Sequence, residues 1–283
     1  MKIFGKVFKA VLMPVAFALA AECESVAVSL APYAKILGEI GREKVCVVQL
    51  VPTGADPHTF EPKPQALKEF STAKLYLTDG SGLDKTWLPR FKGVNPGVKI
   101  ADLSKGVTWQ KAQHEGHAHE GASELDPHIW TSPKAAKIVA QNVAAALADL
   151  DAAHAAFYAG NLAAYQEKLD SLSKFVETAV AKLPEERRSF MVFHPAFGYL
   201  ARDYGLTQHS VEVEGKEPKP KDLGRLIEAA KAKHIRTVFV MPQFSRRSAE
   251  AVAKAIGGTV AETDPLSFEF EREIQKFVEA ISK

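Results

Sequence analysis

The chain has little sulfur, little excess charge and only one sizeable apolar run. Cys23 and Cys46 are its only cysteines, so at most one internal bridge is available. Its 36 basic and 34 acidic residues leave a net charge of +2, and no basic patch is interleaved with aromatics. That balance excludes a nucleic-acid surface. Beyond Ala10 to Ala20, no segment is apolar for long enough to cross a bilayer. No Gly- or Pro-rich linker and no long repeat interrupts the chain. What is present, 46% hydrophobic and 25% charged residues over 283 positions, is the make-up of a soluble globular protein with room for two ordinary domains or one large one.

The N-terminus differs from the rest. Lys2, Lys6 and Lys9 precede the apolar run, and Ala18-Leu19-Ala20 supplies a small-x-small cleavage site. Residues 1–20 therefore read as a secretory signal peptide cleaved after Ala20, which sends the mature protein to the periplasm. Glu22 breaks the run of small residues that a lipid-modified Cys23 would need. Export places Cys23 and Cys46 in an oxidising compartment. Each lies at the start of a candidate strand, Val26–Leu30 and Val45–Val51. If the two strands are parallel neighbours, both sulfurs fall at one end of the sheet, and a disulfide is expected.

From residue 26 onward, short β-branched runs alternate with helical patterns, the signature of parallel βαβ units with helices on the sheet faces. Candidate strands at 74–77 and 98–101 complete the first half, and Ser132-Pro133 opens a helix with a capping residue and proline at its first position. Tyr158, Leu162, Tyr165, Leu169, Leu172, Val176, Ala179 and Leu183 then recur at spacings of four and three. This predicts one long helix with a single apolar stripe. Alternation resumes at 189. The expected fold class is α/β, with two lobes, each a mostly parallel sheet flanked by helices, joined by one long rigid helix. The expected domains are an N-terminal lobe over 21–152, a linking helix over 153–183 and a C-terminal lobe over 184–283.

His114 to Trp130 packs four histidines, three glutamates and an aspartate into one segment with almost no apolar residue before Ile129. Such a segment cannot bury a core, and its imidazoles and carboxylates are donors for divalent transition metals. Four further features stand at matching places. His58 follows the second strand. Asp126-Pro127-His128 repeats the Asp-Pro-His of 56–58. His194 directly follows Phe190–Phe193, and Asp264 follows the last strand. Each lies beside a proline, which stiffens the backbone and lowers the cost of gathering distant ligands. Ligands of open α/β sheets bind beyond the carboxyl ends of the strands, so His58, His128, His194 and Asp264 could meet between the lobes. Three imidazoles and one carboxylate fill a tetrahedral zinc shell. Because binding needs neutral imidazoles, affinity should fall below about pH 6.5.

Gly-Ala-Asp-Pro-His-Thr-Phe-Glu-Pro (54–62), the His-rich loop over 111–125, Asp-Pro-His-Ile-Trp (126–130), Phe-His-Pro-Ala-Phe-Gly-Tyr (193–199) and Thr-Asp-Pro-Leu (263–266) occur together. In this combination the chain resembles the metal-specific solute-binding proteins of bacterial ABC importers, the ZnuA-like zinc receptors in particular. The resemblance covers essentially the whole mature chain. It implies two lobes on a long helix, His58, His128, His194 and Asp264 as ligands of Zn2+, a membrane permease as partner, and a monomer without enzymatic activity. His114, His117 and His119 are candidates for a second, weaker metal site. A manganese or iron receptor of the same family is the alternative, and the resemblance implies that manganese receptors put a carboxylate where His194 stands. A zinc-dependent hydrolase would need an open water position where Asp264 is expected.

Overall fold

The computed structural model describes residues 23–112, 125–212 and 216–283. The expected signal peptide and the second-site candidates His114, His117 and His119 lie outside these residues. The first half builds a four-stranded parallel sheet from β1 (Glu24–Val28), β2 (Val45–Gln49), β3 (Leu75–Thr78) and β4 (Lys99–Asp102), in the order β2-β1-β3-β4. β5 (Ser189–Val192), β6 (Thr207–Ser210), β7 (Thr237–Val240) and β8 (Thr259–Glu262) repeat that order, β6-β5-β7-β8, also parallel. In each sheet the order turns back at the first strand, which is where an open α/β sheet leaves a crevice. β3, with the sequence LYLT, is buried along its whole length, as a strand covered on both faces must be.

Helices cover these sheets for reasons visible in the sequence. α1 (Ala31–Gly41) carries proline in its first turn and buries Tyr33, Ile36, Leu37 and Ile40, one face at helical spacing. α4 (Pro133–Leu150) also starts on a proline. Its Ser132 does not cap through its hydroxyl, which donates instead to Asp203 at 2.5 Å. α5 (Ala155–Ala181) has 27 residues, which is roughly 40 Å of helix. It buries Tyr158, Tyr165, Leu169, Leu172 and Val176 of the expected stripe, with Val180 in place of Ala179. α5 packs on α1 and α4 on one side and on α6 (Gly198–Tyr204) and α9 (Phe270–Ile281) on the other. One continuous apolar core therefore runs from Val26 and Val28 through Trp130 and Leu169 to Phe239 and Phe277. The helix is a packed spine rather than a free strut.

Six of the strands end one to three residues earlier than the sequence pattern suggested, Val51 and Met241 leaving the ladder while staying buried, whereas β3 and β4 run one residue further, to Thr78 and Asp102. Cys23 and Cys46 form a disulfide with their Cα atoms 5.3 Å apart, as their shared sheet end requires. Among the described residues, no helix is long and apolar enough to cross a membrane.

Candidate metal centre

His194 comes directly off β5, the strand at which the second sheet's order turns back, and the backbone N–H of Phe193 donates to Phe239 O at 2.7 Å to hold the exit. Its Nδ1 lies 3.0 Å from the Glu212 carboxylate, and the ring of Phe244 stacks on it at 5.2 Å. His128 stands on the segment after β4. Its Nδ1 lies 2.8 Å from Asp126 Oδ1, which also accepts the His128 backbone N–H at 3.0 Å. Asp126 is itself held by the Gln110 amide at 2.9 Å. Burial pushes the Asp126 carboxyl up, but the bonds and charge of His128, with the Gln110 amide, hold it below the ordinary value. His58 sits on the loop after β2, in a turn made by Asp56, whose carboxylate accepts the His58 backbone N–H at 2.9 Å and the Thr59 hydroxyl at 3.2 Å.

Two of these imidazoles are 7% and 8% exposed, His128 and His194, whereas His58 is an exposed residue whose ring alone is crowded, 4.9 Å from that of His194. Burial, and next the neighbouring His194 and His128, push the His58 imidazole down to about 4, against the smaller pull of Asp56. The Nε2 atom of His194 lies 3.3 Å from that of His58 and 3.2 Å from that of His128. Zinc–imidazole bonds of 2.0–2.1 Å at tetrahedral angles put ligand nitrogens about 3.3–3.4 Å apart. The observed spacings are therefore those of two edges of a zinc tetrahedron. Nδ1–H donation to Asp126 and Glu212 leaves the Nε2 atoms of His128 and His194 as bare lone pairs facing one another, an arrangement that favours a cation between them.

The triad opens into a cavity of about 730 Å³, also lined by Asp56, Trp87, Glu212 and Phe244. Among the described residues, His58, His128 and His194 are the group with three donors mutually within 4.8 Å. Asp264 is not in that group. Its Oδ1 accepts the Gln243 amide and the Leu266 backbone N–H, each at 3.2 Å, and burial above all raises its carboxyl above the ordinary value.

The family model for ZnuA, described as zinc-uptake complex component A, periplasmic, matches residues 26–283. The chain belongs to the ZnuA family. A crystal structure of ZnuA superposes with a TM-score of 0.85 at 38% identity, covering 92% of this chain and 98% of that one. A putative metal-binding protein of Treponema pallidum is 33% identical over 232 residues, 78% of this chain and 72% of its own. The high-affinity zinc uptake system protein ZnuA of Bacillus subtilis is 29% identical over 238 residues, 80% and 73% of the two chains. The ZnuA family is one of periplasmic metal-binding receptors, and its two parallel-sheet lobes and long helix are those of this fold.

Of the four residues singled out in the sequence, the structure brings three together. It also supplies neighbours that the sequence reading passed over. Glu212 and Phe244 come from loops after β6 and β7, and Gln110 from the segment before the His-rich loop. An acidic residue two places beyond a strand end was the only signal for Glu212. Asp56 holds the backbone of His58 and not its ring. Trp130 lies against the site, its ring 5.4 Å from that of His128.

Proposed function

We propose that this ZnuA-family protein captures Zn2+ in the periplasm with His58, His128 and His194 and delivers it to the membrane permease of an ABC importer. The observation that carries the reading is the convergence of three Nε2 atoms with two spacings of 3.2 and 3.3 Å, the separation zinc imposes. Three nitrogens and no carboxylate in the triad favour zinc over manganese, which prefers oxygen donors. Asp264, which follows the last strand, is the proposed fourth donor and would exchange its bond to Gln243 for the ion. Export rests on the basic, then apolar, then Ala-x-Ala order of residues 1–20. Metal content of protein purified without chelators, followed by competitive titration of Zn2+ against Mn2+, tests the assignment. Tight zinc binding that is lost in His128→Ala and His194→Ala is expected. Preference for manganese, or zinc binding that survives both substitutions, overturns it.

A further inference from the structure

We infer that Glu212 is the positioning residue of His194, and that with Asp126 it supplies part of the negative charge that surrounds a bound dication. The inference rests on the zinc-receptor reading above. Glu212 is 4% exposed, and no lysine or arginine among the described residues pairs with its carboxylate. A buried carboxylate without a partner is costly, and the partner it has is Nδ1 of His194 at 3.0 Å. Its place is fixed by the fold. The backbone N–H of Val211 donates to Val192 O at 2.8 Å and that of Glu212 to Phe193 O at 3.1 Å, carrying the pairing of β6 with β5 past the strand ends. Glu212 and His194 are thereby held alongside each other by main chain, while Phe244 covers the imidazole face.

Glu212 grips the ring at Nδ1, whereas the other two histidines meet it at Nε2. It therefore acts through the imidazole: it accepts the Nδ1 proton and leaves the Nε2 lone pair aimed at the shared point. Asp126 does the same for His128. Among the described residues no carboxylate bonds the His58 ring; Asp56 accepts the His58 backbone N–H and the Thr59 hydroxyl instead. One carboxylate-backed histidine thus comes from each lobe. Three neutral imidazoles leave a bound dication at +2, the two backing carboxylates offset that charge, and Asp264 as fourth donor adds one further negative charge.

The test compares wild type with Glu212→Ala and with the near-isosteric Glu212→Gln. Zinc affinity is read by competition with a chromophoric chelator, and the His194 tautomer by 15N NMR of the metal-free protein. Glu212→Ala should weaken zinc binding about 10- to 100-fold and turn His194 from one tautomer into a mixture. Glu212→Gln keeps an acceptor without the charge, so it should keep the tautomer and show a smaller loss of affinity. It also covers the case in which the alanine variant does not fold. Unchanged affinity in Glu212→Gln, or a His194 tautomer in Glu212→Ala identical to wild type, overturns the inference. Should wild type itself fail to take up zinc, the functional reading falls, yet the metal-free tautomer still decides whether Glu212 sets His194.

Discussion

Trp130 of the first lobe donates its indole N–H to the carbonyl oxygen of Pro265 in the second, at 2.7 Å. The donor ring is 1% exposed and is packed edge-on against Tyr33 at 5.3 Å and beside His128. The Tyr199 hydroxyl donates to Asp126 O at 2.8 Å and Arg202 to Thr108 O at 2.6 Å, so further cross-lobe bonds flank the same ligands. Wide separation of the lobes would strip several buried polar groups of their partners, each costing about 1–3 kcal/mol. On the function proposed above, cargo exchange would fall to small shifts and to the exposed loop that carries His58.

The indole bond can be tested directly. Trp130→Phe keeps an aromatic ring but leaves Pro265 O without its donor and the site floor underfilled. A loss of about 1–3 kcal/mol in urea unfolding is expected. Hydrogen exchange in wild type should show little difference in β1 and β5 protection between metal-free and zinc-loaded protein. Broad deprotection of both strands without metal would mean that the lobes do open.

Gly198 offers a second probe, placed away from the ligands. A Cβ there would collide with the Gln110 amide nitrogen and the Asp126 carboxylate, the pair that holds His128. Gly198→Ala should cost about 1–3 kcal/mol through overpacking and weaken zinc binding as Asp126 is displaced. Wild-type affinity in a folded Gly198→Ala protein would show that Asp126 does not set His128.

How much of this was readable beforehand follows from the physics of each element. Parallel strands and α5 announce themselves by periodicity, because burial imposes it on the sequence. The prolines beside His58, His128 and His194 likewise mark stiffened backbone at the candidate ligands. Glu212 and Gln110 carry no such mark. Their roles depend on which strand lies beside which, and the partner of Glu212 is 18 residues away through a parallel crossover. Asp264 had the same local signature as the histidines, yet its Oδ1 accepts from Gln243 and Leu266 rather than facing the triad's shared point. Adjacency to a strand end and a proline does not reveal which way a side chain bonds.

The Cys23–Cys46 bridge closes a loop over a separation of 23 residues at one end of the first sheet. In the chain-entropy view, a loop of that size limits the unfolded ensemble by about 3 kcal/mol. Cys23→Ser with Cys46→Ser should lower stability by about that amount. Zinc affinity should stay unchanged, because the bridge lies at the amino end of β1 and β2 and the ligands lie beyond their carboxyl ends. Loss of affinity in a folded double variant would contradict that separation.

The pH response of the metal-free protein isolates His58. Its imidazole titrates at about 4 in the folded protein, against an ordinary value of 6.5. Between these values the unfolded chain binds a proton that the native state refuses, so stability rises with pH across that window. The contribution is fully present above about 6.5 and is lost as the pH falls to about 4. Other groups titrate over the same range, and the buried Asp84 carboxyl, pushed up to about 9 by burial and by Asp79, has the opposite slope. The comparison with His58→Asn removes that background. The stability of wild type relative to the variant, from urea unfolding without metal, should be flat above pH 7 and decline steadily towards pH 4. A flat difference over the whole range would mean that the His58 ring is solvated and does not crowd the other two. With the decline present, any loss of zinc just below pH 6.5 must arise at another group, because His58 is still unprotonated there.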